Sequence, residues 1–205
     1  MTLYHGTDLS SGSNIIASGI DLNRGKPYAD FGKGFYTTPD RKHALLCAMR
    51  TYKRKFHKLP EANLLSVIKI NCDITNPSLN IKAFTSPDEN WCRFIINNRI
   101  DLEILMQNHT QEHNKLGRYD LCYGEIADGN VVNLAWKINR RIISLTDIDY
   151  KVYADKISGI YPIQYSFHTK MALHSIQNIY EEKISSADLE VLYGHQEKKQ
   201  TYNFY

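Results

Sequence analysis

Apolar residues recur along this chain at two spacings that do not take turns in a fixed order, and that ordering is the tightest constraint on the fold. Alternating or β-branched runs over residues 3–7, 35–38, 64–72, 119–123 and 162–167 read as strands. Runs over 11–18, 40–56, 86–105, 131–142 and 169–179 carry apolar residues at helical spacing. Serines near residue 11 suit a helix start and Gly19 its stop, while Asp40 caps the next helix. Ser86-Pro87-Asp88-Glu89 reads as a capping box with proline at the first helical position, and a break falls near Arg99-Ile100. Residues 107–117 hold a single apolar side chain, Leu116, and are expected to form a mobile loop. Strict β-α-β succession is missing, which predicts an α+β fold and argues against a doubly wound nucleotide-binding sheet.

Composition narrows the setting rather than the function. With 205 residues, 42% of them hydrophobic and 23% charged, the chain suits one packed domain. Its net charge of +3 is too small to announce a nucleic-acid or membrane surface. Cys47, Cys72, Cys92 and Cys122 stand far apart with no Cys-x-x-Cys pair, a pattern that fits buried thiols in a reducing cytosol better than disulfides or zinc. No basic n-region precedes the first strand and no apolar run approaches about 18 residues. The expectation is a cytoplasmic protein without a membrane partner.

His109-Thr110-Gln111-Glu112-His113 spells a zinc-protease spacing, yet it falls in the most polar stretch of the chain, whereas a catalytic zinc needs ligands held on a packed helix. No metal is therefore expected. His168 and His174 near a strand-to-helix transition read as surface or satisfied histidines, and Glu125 with Asp128 reads as turn chemistry. No Gly-x-Ser-x-Gly elbow is present.

Two segments remain. Leu3-Tyr4-His5-Gly6-Thr7 ends a strand in a histidine beside a glycine, which sets an imidazole next to a bare backbone N–H and C=O. Asp30-Phe31-Gly32-Lys33-Gly34-Phe35-Tyr36-Thr37-Thr38 runs from a glycine loop into an aromatic strand and lacks the spacing of a phosphate-cradling P-loop. Imidazole on a ribose hydroxyl, glycine backbone on a carboxamide and tyrosine on a ring would together grip a nicotinamide riboside unit.

These segments resemble, in order and spacing, the first two motifs of the ADP-ribosyltransferases of the diphtheria-toxin and poly(ADP-ribose) polymerase branch. The chain resembles still more closely a bacterial family of uncharacterised domains thought to share that fold. Tyr119-Asp120-Leu121 through Ala127-Asp128 and Gln164-Tyr165-Ser166-Phe167-His168-Thr169 are similar to its later signatures. The resemblance covers residues 2 to about 178 and implies two facing, mainly antiparallel sheets with an NAD cleft. It divides the chain into a domain over 1–180, with a helical insertion over about 84–116, and an extension over 181–205. By the same resemblance His5, Tyr36 and Gln164 are the catalytic set. His5, Gly6, Thr7, Arg24, Gly34, Phe35 and Tyr36 bind NAD, with His5 on the ribose, Gly6 on the carboxamide, Tyr36 stacked on nicotinamide and Arg24 on the pyrophosphate.

The third motif departs from the pattern, because Gln164 stands where the branch offers a glutamate. Glutamine accepts a ribose hydrogen bond but brings no charge to an oxocarbenium-like transition state and takes no proton. General-base catalysis is worth about 10²- to 10⁴-fold, so the acceptor must already be nucleophilic or a base such as Asp128 or Glu125 must reach the cleft. The resemblance implies mono-ADP-ribosylation of a protein or nucleic-acid acceptor, with a toxin or defence role and an antitoxin partner by family analogy. An inactive NAD-binding module, an NAD glycohydrolase and a ligand-free interaction domain are the rival readings.

Overall fold

The computed structural model describes residues 1–127, 129–156 and 161–192. Its elements are α+β, with two mostly antiparallel sheets. In the first, strand β1 (Thr2–Asp8) pairs with β3 (Leu65–Cys72), which pairs on its other side with β7 (Ile176–Glu182). The second runs β2 (Phe35–Thr37), β6 (Ile163–Phe167), β5 (Leu121–Glu125), β4 (Ile81–Ala83), antiparallel apart from the β4–β5 pair. Leu3, Ile68, Ile70 and Cys72 from the first sheet meet Phe35, Leu121 and Phe167 from the second in one buried cluster, so the sheets pack face to face.

Helices cover the outer faces. Asp40 accepts from the N–H groups of Lys42 and His43 and so starts α2 (Arg41–Phe56). Its buried residues Ala44, Leu45, Ala48, Met49 and Tyr52 pack on Leu65 and Val67 of β3, while Ile68, Ile70 and Cys72 of that strand turn to the second sheet. A strand covered on both faces is buried nearly throughout, and β3 is. Against the outer face of the second sheet stand α3 (Glu89–Arg99), α4 (Leu102–Gln107), α5 (Gly129–Asn139) and α6 (Tyr150–Ala154). Trp91, Phe94, Ile95, Leu134, Ile138 and Tyr150 form their core around Phe31 and Cys122.

Several expectations shift. Asp8, not a serine, caps α1 (Leu9–Ser18) by accepting from Ser11 N–H, because a carboxylate two residues ahead of Ser10 reaches the open donors of the first turn. Asp88 rather than Ser86 caps α3, accepting from Trp91 N–H. The strand expected over 119–123 lies two residues later, and on α5 Trp136 is half exposed while Ile142 falls beyond the helix end. The largest miss is the helix expected over 169–179. Only one turn, α7 (Lys170–Leu173), forms there before the chain becomes β7, because the second edge of β3 would otherwise hold a buried row of unpaired backbone groups. β7 runs through Glu182, residues 186–192 are helical, and Leu189 and Leu192 are buried in the α2 cluster.

Residues 107–117 form no helix or strand beyond the end of α4, yet the stretch is pinned. Asn98 Oδ1 accepts from Asn114 N–H at 2.8 Å, Asn114 Oδ1 from Tyr119 N–H at 2.8 Å, and Asn97 Nδ2 donates to the Glu112 carbonyl at 3.0 Å. Its polarity reflects side chains used as backbone partners. Among the described residues no helix is long and apolar enough to cross a membrane.

Candidate active site

Strand alternation decides what the first motif offers. Tyr4 N–H donates to the Thr38 carbonyl at 2.7 Å and Thr38 N–H to the Tyr4 carbonyl at 2.9 Å, while Cys72 N–H donates to the Met1 carbonyl on the opposite edge of β1. Odd-numbered residues of β1 therefore aim their backbone groups at β3 and even-numbered ones away from it. Gly6 N–H and C=O share the outer edge with Tyr4. The Tyr4–Thr38 register would carry Gly6 opposite Tyr36, but among the described residues β1 and β2 are bridged at that one pair, and they splay at Gly6.

The His5 ring sits in the splay. Its Nδ1 lies 2.7 Å from the Tyr36 carbonyl, an acceptor only, so Nδ1 carries the proton. Burial, partly offset by that hydrogen bond, holds His5 below the ordinary histidine value and keeps it neutral near pH 7. Nε2 is then an acceptor, with no partner among the described residues. The Phe35 ring lies 4.5 Å from the imidazole and fixes its plane.

Tyr36 and Gln164 share the other face of the second sheet. Tyr36 is opposite Ser166 on β6, Gln164 lies two residues from Ser166, and side chains of one strand alternate. The Tyr36 hydroxyl accepts from Phe31 N–H at 2.8 Å and donates to the Gly32 carbonyl at 2.7 Å, so the ring clamps the glycine loop. Burial first, then the nearby Asp30 charge, raises the Tyr36 phenol well above its usual value. Gln164 is 7% exposed and donates through Nε2 to Asp30 Oδ2 at 2.6 Å. Asp30 also accepts from Ala127 N–H at 3.1 Å and, through Oδ1, from Arg99 Nε at 2.7 Å, with Arg99 Nη2 at 2.6 Å.

The remaining sequence candidates fall as follows. Gly34 is bare where a Cβ would meet His168 Nδ1 and the Phe167 carbonyl, each at 2.7 Å, so its role is close approach of β2 to the end of β6. Phe35 is buried between the sheets, and Thr7 is buried with its methyl toward Gly12 of α1. Arg24 is exposed beside Asp21 at 3.8 Å, and the neighbouring Gly25 lies close against the Gly34 backbone. Glu125 is opposite Ile163, on the other face of β5 from Gln164 and Gly124, which sets its side chain away from the Gln164 amide. Asp128 lies outside the described residues. His109 is exposed on a positive φ, His113 is buried, and no described group of three or more His, Cys, Asp and Glu is placed to hold a metal ion.

Sequence reasoning gave Asp30, Arg99, Ser166 and His168 no role in the site. Asp30 opens the glycine stretch over 30–38, where an acid before Phe-Gly carries no local sign of its distant partners. His168 donates to the Lys33 carbonyl at 2.9 Å and accepts from Ser166 Oγ at 2.9 Å, a pair that ties β6 to the glycine loop rather than a nucleophile with its base, since Ser166 is fully buried. A separate cavity of about 530 Å³, lined by Lys82, Phe84, Asp88, Arg93 and Glu112, opens between β4 and the start of α3.

An α+β protein with an open strand edge beside a neutral histidine is thus the class the geometry defines. The model of a family described as "protein of unknown function (DUF3990)" matches residues 1–178, and the chain belongs to that family. No curated protein matches it.

Proposed function

We propose that this protein has the ADP-ribosyltransferase-like fold and transfers a single ADP-ribose from NAD to a nucleophilic acceptor. One observation carries the reading. At Gly6 the outer edge of β1 presents an N–H and a C=O side by side, next to a histidine whose only open nitrogen is an acceptor. A carboxamide needs that donor and acceptor pair, and a ribose hydroxyl needs that nitrogen. The resemblance of the two motifs and the two facing sheets support the same reading.

The chemistry follows from what the residues lack. The C1′–N bond to nicotinamide breaks with its electron pair leaving on nicotinamide, and a lone pair of the acceptor then bonds C1′ while its proton passes to solvent. Gln164 Oε1 accepts from a ribose hydroxyl without adding charge, and the side chain of Glu125 is turned from it. Catalysis then rests on positioning, with an acceptor that is nucleophilic in its own right. The uncharged, engaged Gln164 also favours a second reading, an NAD-binding module without turnover.

Nicotinamide release from labelled NAD, with and without cell lysate, tests both for wild type, His5→Ala and Gln164→Ala. Release that requires lysate and is lost in both variants is the expected result. NAD binding without release leaves the binding module, and the absence of both refutes NAD as ligand.

A further inference from the structure

Gln164 does not stand alone in its strand. Its Nε2 is 2.6 Å from Asp30 Oδ2, and an ionised carboxylate only accepts, so the amide nitrogen must be the atom facing Asp30. The orientation of an amide is normally ambiguous; here the partner decides it. Asp30 is itself immobilised by two contacts to Arg99 from the end of α3 and by Ala127 N–H, and it is 4% exposed. Other ionisable groups around the pair are the Tyr36 phenol on β2 and Cys122 on β5, both on the Gln164 face, and Glu125, one residue along β5 on the opposite face.

We propose that Asp30 is a positioning residue, which holds the Gln164 amide by its nitrogen and thereby turns Oε1 outward as an acceptor for a ligand hydroxyl. This rests on reading Gln164 as a ligand-facing group. It also explains why a glutamate at this position is incompatible with the rest of the chain: two carboxylates at hydrogen-bond distance cannot both ionise. A glutamine enzyme of this family would not be repaired by restoring the acid alone. The compatible exchange is reciprocal, with an asparagine at residue 30 donating to a glutamate at residue 164.

The test uses the full chain in four forms: wild type, Gln164→Glu, Asp30→Asn and the double variant. Melting temperature is followed from pH 5 to pH 8, and NAD affinity is measured by calorimetry. Gln164→Glu should hold a proton in the folded state that it loses when unfolded, so it falls about 10 °C further below wild type as pH rises across that range. The double variant should recover most of the loss. Where Gln164→Glu is unfolded at pH 8, its folding at pH 5 and the recovery in the double variant carry the same information. For NAD, Asp30→Asn should weaken binding about tenfold at pH 7 while the protein stays folded, because the amide is then free to turn its nitrogen outward. A Gln164→Glu profile parallel to wild type overturns the Asp30–Gln164 coupling. An unchanged NAD affinity in folded Asp30→Asn overturns the positioning role. A wild type that never binds NAD refutes the proposed function, and with it the ligand-facing role, whereas the pH profiles still decide the coupling.

Discussion

Replacing Gly6 by alanine should damage the fold before it touches any ligand. A Cβ on Gly6 would lie 1.7 Å from the Ala44 carbonyl oxygen and 2.5 Å from its carbon, both backbone atoms of α2. For the first of these to reach the 3.0 Å that real Cβ atoms respect, helix and strand must part by about 1.3 Å. Ala44, Leu45, Ala48, Met49 and Tyr52 all pack from this helix onto β1 and β3, so the whole interface opens, not one contact. A radial gap of about 1 Å forfeits up to half of a dispersion contact, which puts Gly6→Ala at the upper end of overpacking costs, about 3 kcal/mol. For a chain of this size that is a fall of about 6 to 12 °C in Tm. Urea denaturation beside Gly129→Ala supplies the control, since nothing lies within 4 Å of a Cβ at Gly129. Gly6→Ala within about 0.5 kcal/mol of wild type would refute the close approach of α2 to β1.

Three further outcomes are expected. Arg99→Met should destabilise by about 3 kcal/mol in urea, because it strands the buried Asp30 carboxylate; a loss under about 1 kcal/mol would mean that the pair is not buried as drawn. The Ser185 N–H and the Arg41 guanidinium hold Asp188 down at about 2, so its contribution is complete above 3.8 and is lost as pH falls through about 2. Asp188→Asn should remove about 1 kcal/mol of that acid slope after allowance for solvent screening, and an unchanged slope would place residues 183–192 off the α2 surface. NAD affinity should be constant above the ordinary histidine value of 6.5 and weaken below it, as protonation turns the His5 acceptor into a donor; stronger binding in acid would contradict the assignment of Nε2.

The sequence was legible where local chemistry decides structure. Asp40, the helical spacing of Leu45, Met49 and Tyr52, and the alternation of Ile68, Ile70 and Cys72 each act within a few residues, and α2 and β3 formed as read. Residues 176–179 read locally as helix but form a strand, because their state is set by an edge more than a hundred residues earlier, which no local spacing reports. The same distance hid the Asp30–Arg99–Gln164 node, whose members are 69 and 134 residues from Asp30. His5 and Gly6 were legible only as a pair of residue types. That Gly6 serves two neighbours, with its bare Cα under α2 and its backbone at an open edge, needed the register of β1 on both sides.

An open edge inside a protein is costly to keep, which is why its position is informative. A strand at the margin of a sheet carries unpaired N–H and C=O groups that invite another strand. β2 is placed to extend its pairing along β1, since Thr38 just past its end already bridges Tyr4 and the same register continues to Gly6. Two features stop it. Thr38 Oγ1 donates to the Ile163 carbonyl at 2.9 Å and Thr37 Oγ1 to the Tyr165 carbonyl at 3.2 Å, which commits β2 to β6. The Tyr36 carbonyl, which a closed ladder would aim at β1 backbone, instead accepts from the His5 ring. The imidazole therefore both wedges the two strands apart and stands beside the groups that the wedge leaves open.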